Sequence, residues 1–170
     1  PILHNLICSR ATVEAIQEGG GDPLRTRVGH SYIKARMAET GAMFGGEHSG
    51  HYYFARNYGA DSGLIAAMIV LDRLSRSNGP LSSMCNPFQR YSQSGEINVD
   101  VKDTTTAIEK ISNVFADQPQ DRLDGLTVDC GNWWFNVRPS NTEPLLRLNV
   151  EGPDASEVTK RVDQILDLIH

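Results

Sequence analysis

Arg138-Pro139-Ser140-Asn141-Thr142-Glu143-Pro144 lies between two strand-like runs, Trp133 to Val137 and Leu145 to Val150. It places a guanidinium, two hydroxyls and an amide on five consecutive residues. A guanidinium is a planar fork of donors that fits phosphate bidentately. Ser140 and Thr142 add hydroxyl donors, and Asn141 tolerates the left-handed backbone that turns successive N–H groups toward an anion. The two prolines stiffen the approaches and reduce the ordering entropy lost on binding. The set suits a phosphate, provided the Arg138 fork is not spent on an internal ion pair. The alternative is a polar hairpin turn with an incidental arginine, since turns favour Ser, Asn and Pro.

About ninety residues upstream, Gly45-Gly46-Glu47-His48-Ser49-Gly50-His51 forms a second cluster. Glycines on both sides let the backbone approach a ligand closely. Glu47, when ionised, accepts from two neighbouring hydroxyls, and Ser49 both donates and accepts. A carboxylate and a hydroxyl on one tight loop can read a polyol. His51 brings an imidazole, a group that suits a proton shuttle or a phosphate contact. Two alternatives stand beside this: a plain Gly-rich turn, and a metal site on Glu47, His48 and His51. For His51 alone, the plain alternative is a histidine at a strand start that satisfies a backbone carbonyl.

The elements that must carry these loops follow from periodicity. Leu3 to Ile7 reads as a strand and Thr12 to Glu18 as a short helix stopped by three glycines. Ser31 is expected to cap a helix through Met37 that ends at Gly41. Ala42 to Phe44 and Tyr52 to Phe54 read as short strands flanking the glycine loop. Asp61 is expected to cap a helix with Leu64, Met68 and Leu71 at helical spacing. Met68, Met84 and Phe88 read as core residues, and so does at least one of Trp133 and Trp134. Beyond Ser92 to Gly95 the pattern changes. Ile97, Val99 and Val101 alternate as a strand, and Thr104 to Phe115 is helical. Leu126 to Cys130 and Trp133 to Val137 make a hairpin around Gly131-Asn132. Leu146, Leu148 and Val150 alternate, and Asp154 caps a closing helix. The fold class is α/β with an α+β C-terminal unit, β-α-β-β-β-α, whose antiparallel sheet carries helices on one face. The expected division is 1–92 and 93–170.

The 170 residues carry a net charge of −5. Residues 1–93 are net +2 and residues 94–170 net −7. An acidic second half cannot attract phosphate through its overall field, so any anion site there works through local donors. The same balance argues against nucleic acid, which needs a basic surface. No apolar run reaches the roughly 20 residues of a membrane span, so no membrane partner is expected. Cys8, Cys85 and Cys130 are odd in number and widely spaced, as in a reduced cytoplasmic protein. The chain opens on Pro1 with a strand under way, and the expectation is a piece of a longer protein.

A third segment, Val28-Gly29-His30-Ser31-Tyr32-Ile33-Lys34, completes a pattern. Gly46 to His51 resembles the Gly-Glu-X-Ser-Gly-His sugar-reading loop of the alpha-D-phosphohexomutases. Arg138 to Pro144 resembles that family's phosphate loop, and the Gly29-His30-Ser31 segment resembles the one near its substrate phosphate. The resemblance covers essentially the whole chain. It implies residues 1–92 as part of the family's third domain and 93–170 as its C-terminal fourth domain. It further implies Glu47, Ser49 and His30 as sugar contacts, His51 as a proton shuttle, and Arg138, Ser140, Asn141 and Thr142 as phosphate contacts. The implied whole protein is a phosphomannomutase/phosphoglucomutase acting on a phosphorylated hexose through a phosphoserine and a hexose 1,6-bisphosphate. The implied Mg2+ and catalytic serine belong to N-terminal domains: this sequence has no Asp-Gly-Asp-X-Asp-Arg and no Ser-His-Asn-Pro run. On this resemblance the chain alone binds without catalysing. A non-catalytic phosphosugar-binding module and a phosphoglucosamine mutase remain as alternatives. The family lysine expected near Ile7 is missing.

Overall fold

The computed structural model describes residues 1–140 and 143–169 and divides into two units, Pro1–Arg90 and Tyr91–His170. The first unit is built on a mixed sheet. Its strands are β1 (Ile2–Asn5), β2 (Pro23–Thr26), β3 (Phe44–Gly46), β4 (Tyr52–Phe54) and β5 (Ala60–Asp61), in the order β2-β1-β3-β4-β5. β1 pairs in parallel with both β2 and β3, while β3-β4-β5 is antiparallel. Helices α1 (Arg10–Glu18) and α2 (His30–Thr40) make the crossovers that parallel pairing requires. The chain passes from β1 to β2 on one side and then to β3 on the other, so β1 and β3 flank a topological switch point, at whose carboxyl ends open α/β sheets take their ligands.

Local chemistry explains the boundaries. The Ser9 hydroxyl accepts from the Ala11 N–H and starts α1. α2 starts at His30 behind Gly29, with no side-chain cap, so the expected capping role of Ser31 is not found. The helix α3 (Gly63–Ser75) is capped by Ser62, whose hydroxyl accepts from Ile65 N–H, and not by Asp61 as expected. Strand β2 carries no alternation and begins on proline, which an edge strand tolerates at its first residue. Leu3, Ile33, Met37, Ala42 and Tyr53 form the core of this unit. The apolar stripe of α3 does not join it. Leu64, Met68, Ile69 and Leu71 are exposed, Leu64 by 76%, and so is Phe88. The expectation that Met68 and Phe88 are core residues is therefore not met within the described residues, because helical spacing marks an apolar face without saying what covers it.

The second unit begins with β6 (Ser92–Asp100) and α5 (Thr104–Val114), following the short α4 (Leu81–Cys85) of the first. β7 (Gln120–Asp121), β8 (Leu126–Asp129), β9 (Trp134–Pro139), β10 (Leu145–Gly152) and α6 (Ala155–Ile169) follow. The sheet is antiparallel, in the order β6-β10-β9-β8-β7. The Asp103 and Asp154 carboxylates accept from the first turns of α5 and α6. One sheet face presents Leu126, Val128, Phe135, Val137, Leu146, Leu148 and Val150, which pack with Ile108, Ile111, Val158 and Ile165 of the two helices. Trp133 and Trp134 are both buried. The alternate residues of β9 and β10 place Asn136, Arg138, Arg147, Asn149 and Glu151 on the other face. Gly125 holds a left-handed φ of +69°, and a Cβ there would lie 2.3 Å from the Val137 carbonyl oxygen and 2.6 Å from Arg138 Cα. Only a residue without a side chain lets β8 start so close to β9.

Candidate functional site

The loop from Glu47 to His51 leaves β3 at the carboxyl end of the parallel strands. It is closed by two backbone bonds, Glu47 N–H to the His51 carbonyl at 2.9 Å and Gly50 N–H to the Glu47 carbonyl at 3.0 Å. Gly50 takes a φ of +86° at the turn. Asn5, ending β1, lies under the loop: its amide oxygen accepts from Cys8 Sγ at 3.1 Å and from His48 N–H at 3.5 Å. The Asn5 Nδ2 is buried without a hydrogen-bond partner. An unmet donor of this kind costs about 1–3 kcal/mol, so it marks a place where a fold carries strain, a water or a ligand.

Glu47 is only 6% exposed. Its Oε1 accepts from Gly29 N–H at 3.1 Å and its Oε2 from the Tyr53 hydroxyl at 2.6 Å. A carboxylate offers about four lone-pair sites, so two bonds leave acceptor capacity. The residue read from the sequence as an open sugar grip also ties the loop after β2 to β4. The Tyr53 oxygen in turn lies 3.0 Å from His30 Nδ1, within hydrogen-bond distance. Asp61 Oδ2 lies 3.0 Å from His51 Nδ1, and Asp61 Oδ1 lies 3.7 Å from His30 Nδ1. The two imidazoles stand edge to face with centroids 6.4 Å apart. The result is a continuous run, Glu47–Tyr53–His30–Asp61–His51, with Ser49 exposed on the same turn. The hydrogen bond from His51 holds the Asp61 carboxyl below the usual carboxylate range. Burial, and then the bond to Glu47, push the Tyr53 phenol up.

His51 therefore meets a carboxylate instead of a backbone carbonyl. Tyr53 and Asp61 were not singled out by the sequence as site residues. Tyr53 sits inside an aromatic strand whose middle residue turns inward, and a buried phenol needs a partner. Asp61 sits where a helix cap was expected. Among the described residues no group of three or more His, Cys, Asp or Glu side chains is placed to hold a metal ion. The set Glu47, His48 and His51 is thus not gathered as a metal site.

In the second unit the geometry corrects one expectation. Arg138 is not an open fork on a loop. It belongs to β9, is 4% exposed, and donates from NH1 to Asn149 Oδ1 at 3.0 Å and from NH2 to Glu96 Oε2 at 2.5 Å. The Glu96 carboxylate also reaches Arg147, whose NH1 lies 3.3 Å from Oε1. The physical reason is register: Arg147 faces Arg138 and Asn149 faces Glu96 across the ladder, which stacks two cations around one anion. Neither Glu96, Arg147 nor Asn149 was marked by the sequence. Ser140 follows the strand half-buried, and its N–H bonds to the Leu145 carbonyl at 2.9 Å. Asn141 and Thr142 lie outside the described residues.

Comparisons with known proteins agree over both units. The profile of phosphoglucomutase/phosphomannomutase alpha/beta/alpha domain III matches residues 1–91, and that of the C-terminal domain of the same family matches residues 96–168. The chain belongs to the phosphoglucomutase/phosphomannomutase family, the alpha-D-phosphohexomutases. It is 43% identical over 168 residues to a phosphomannomutase of Methanocaldococcus jannaschii, covering 99% of this chain and 37% of that protein. It is 38% identical to a protein of Xanthomonas campestris described as phosphohexose mutases, covering 99% and 38%. A crystal structure of a phosphoglucomutase/phosphomannomutase family protein from Burkholderia thailandensis superposes with a TM-score of 0.84 at 29% identity, covering 98% of this chain and 36% of that one. The chain thus spans a little over a third of the length of these relatives. No helix of the described residues is long and apolar enough to cross a membrane.

Proposed function

We propose that the complete protein is a phosphohexomutase that interconverts hexose 1-phosphate and hexose 6-phosphate through a phosphoserine and a hexose 1,6-bisphosphate. Phosphomannomutase/phosphoglucomutase is the branch favoured by the names of its relatives. The observation that carries the reading is the gathering of Glu47, Ser49 and His51, on the loop that resembles the family's sugar-reading loop, with His30 at the start of α2, through the contacts of Tyr53 and Asp61. In this reading Glu47 and Ser49 take adjacent ring hydroxyls and His30 contacts sugar or phosphate. In the first transfer the sugar oxygen bonds to phosphorus as the serine oxygen–phosphorus bond breaks, and the sugar hydroxyl proton passes to His51. After the bisphosphate turns over, the serine oxygen bonds to its other phosphorus as that sugar oxygen–phosphorus bond breaks, and a proton returns from His51 to the freed sugar oxygen. Positioning and electrostatics supply most of such catalysis.

Ser140, Asn141 and Thr142 hold the phosphate that is not reacting. Arg138 takes a changed role. Two of its five donors are committed to Asn149 and Glu96, so it acts chiefly by fixing the approach to the loop, and any direct phosphate contact shares the guanidinium with Glu96. The serine and metal loops belong to other domains, Mg2+ among their ligands, and this chain alone binds without turnover. The complete protein is expected to turn over mannose and glucose 1-phosphates in a coupled assay primed with the bisphosphate. A folded protein inert on both, and on glucosamine phosphate, overturns the reading. Preference for glucosamine phosphate moves it to that branch.

A further inference from the structure

We propose that Asp61 is a positioning residue of this site: with Tyr53 it fixes the Nδ1–H tautomer of both His51 and His30, so that each imidazole offers Nε2 to the ligand. The inference rests on the reading of His51 as the group that receives the sugar proton, and deepens it.

Two separate arguments give the same tautomer. For His51, the partner 3.0 Å from Nδ1 is the Asp61 carboxylate. An ionised carboxylate only accepts, so Nδ1 must donate. For His30, the partner is a hydroxyl whose own proton is already assigned. The Tyr53 O–H lies 2.6 Å from the buried Glu47 carboxylate, a short charge-assisted bond that takes the phenolic proton. The phenol oxygen is then an acceptor toward His30, and Nδ1 carries the hydrogen. Asp61 lies within 3.7 Å of that same nitrogen.

The carboxylate is itself held in place. Asp61 pairs with Tyr53 across the β4–β5 ladder, and the next residue, Ser62, is pinned by its N–H to the Tyr52 carbonyl at 2.9 Å and by its cap on α3. One short strand therefore fixes the anion that orients two imidazoles. The consequence is chemical. With Nδ1 protonated, a neutral His51 has its lone pair on Nε2 and can accept a proton there. The opposite tautomer would present N–H at that atom and could only donate. A wrong tautomer disables a catalytic imidazole even when its position is unchanged.

The test begins with this 170-residue chain. Long-range 1H–15N spectra of the imidazole rings, recorded above the histidine titration range, are expected to show protonated Nδ1 and bare Nε2 for His51 and His30. A wild-type His51 carrying its proton on Nε2 overturns the proposal without any variant being made. In Asp61→Ala, His51 is expected to shift toward the Nε2–H form that free imidazole side chains prefer, and an unchanged tautomer in a folded variant also overturns it. In the complete enzyme, Asp61→Ala should lower kcat on the order of 10²-fold with little change in KM, and Asp61→Asn, which keeps an acceptor, should recover part of it. A kcat equal to wild type counts against the proposal. The ring spectra involve no sugar chemistry, so they stand or fall apart from the mutase assay.

Discussion

Tyr53 lies between the Glu47 carboxylate and the His30 imidazole, completely buried. Folding favours its neutral phenol, because a phenolate there would be desolvated and would face a carboxylate. The raised value means that this contribution to stability is complete below the ordinary tyrosine pKa, roughly 10, and is lost as pH rises through the higher folded value. An absorbance titration of the folded chain should therefore show one phenol ionising above the ordinary tyrosine range, absent in Tyr53→Phe. A Tyr53→Phe titration that instead loses an ordinary component would contradict the network. At this scale the sequence showed residue types and little of their engagement. Glu47, Ser49 and His51 were legible because glycines and short spacing bring them together on one loop, while His30 was marked only by the resemblance of its segment. Their partners were not, because Tyr53 and Asp61 reach the histidines through strand pairing. Glu47→Gln is expected to destabilise the first unit. The carboxylate holds Gly29 and Tyr53, and its loss leaves buried groups poorly matched, at a cost of about 1–3 kcal/mol.

Among elements, the approach of β8 to β9 shows how a backbone position sets a loop. Gly125→Ala must place a methyl group against the Val137 carbonyl while holding a positive φ. A loss of about 2–4 kcal/mol is expected, read as a lower urea midpoint by tryptophan fluorescence. Gly131→Ala is the comparison: φ is +82° but nothing lies within 4 Å of the added carbon. Its expected loss is about 1–2 kcal/mol, the left-handed conformation alone. Equal losses for the two would remove the steric argument. The β9 and β10 strands were readable from alternation, and the same alternation carries Arg138 off the loop into the polar face. Strand β2 was not readable, since Pro23-Leu24-Arg25-Thr26 has neither alternation nor a β-branched run. The helix α3 was readable as a helix but not as an exposed one, because periodicity records a face and not its cover.

At the level of the molecule, the two units have separate cores, and that of Tyr91–His170 is the more extensive. Both tryptophans lie in that unit, Trp133 within its core and Trp134 buried on the other sheet face. Urea unfolding should therefore depart from two-state behaviour. Ellipticity should begin to fall with the Pro1–Arg90 unit before tryptophan fluorescence changes. Coincident midpoints by the two probes would show a single cooperative body instead. The uncovered flank of α3 has a practical corollary for anyone handling this polypeptide. Five apolar side chains of one helix open to water, Leu64, Met68, Ile69, Val70 and Leu71, behave like a small oily decal. Ammonium sulfate strengthens apolar association, so the chain should be retained on a phenyl resin at salt concentrations where an evenly charged protein of its size would flow through. Purification and long-term storage are best planned at low salt and low concentration.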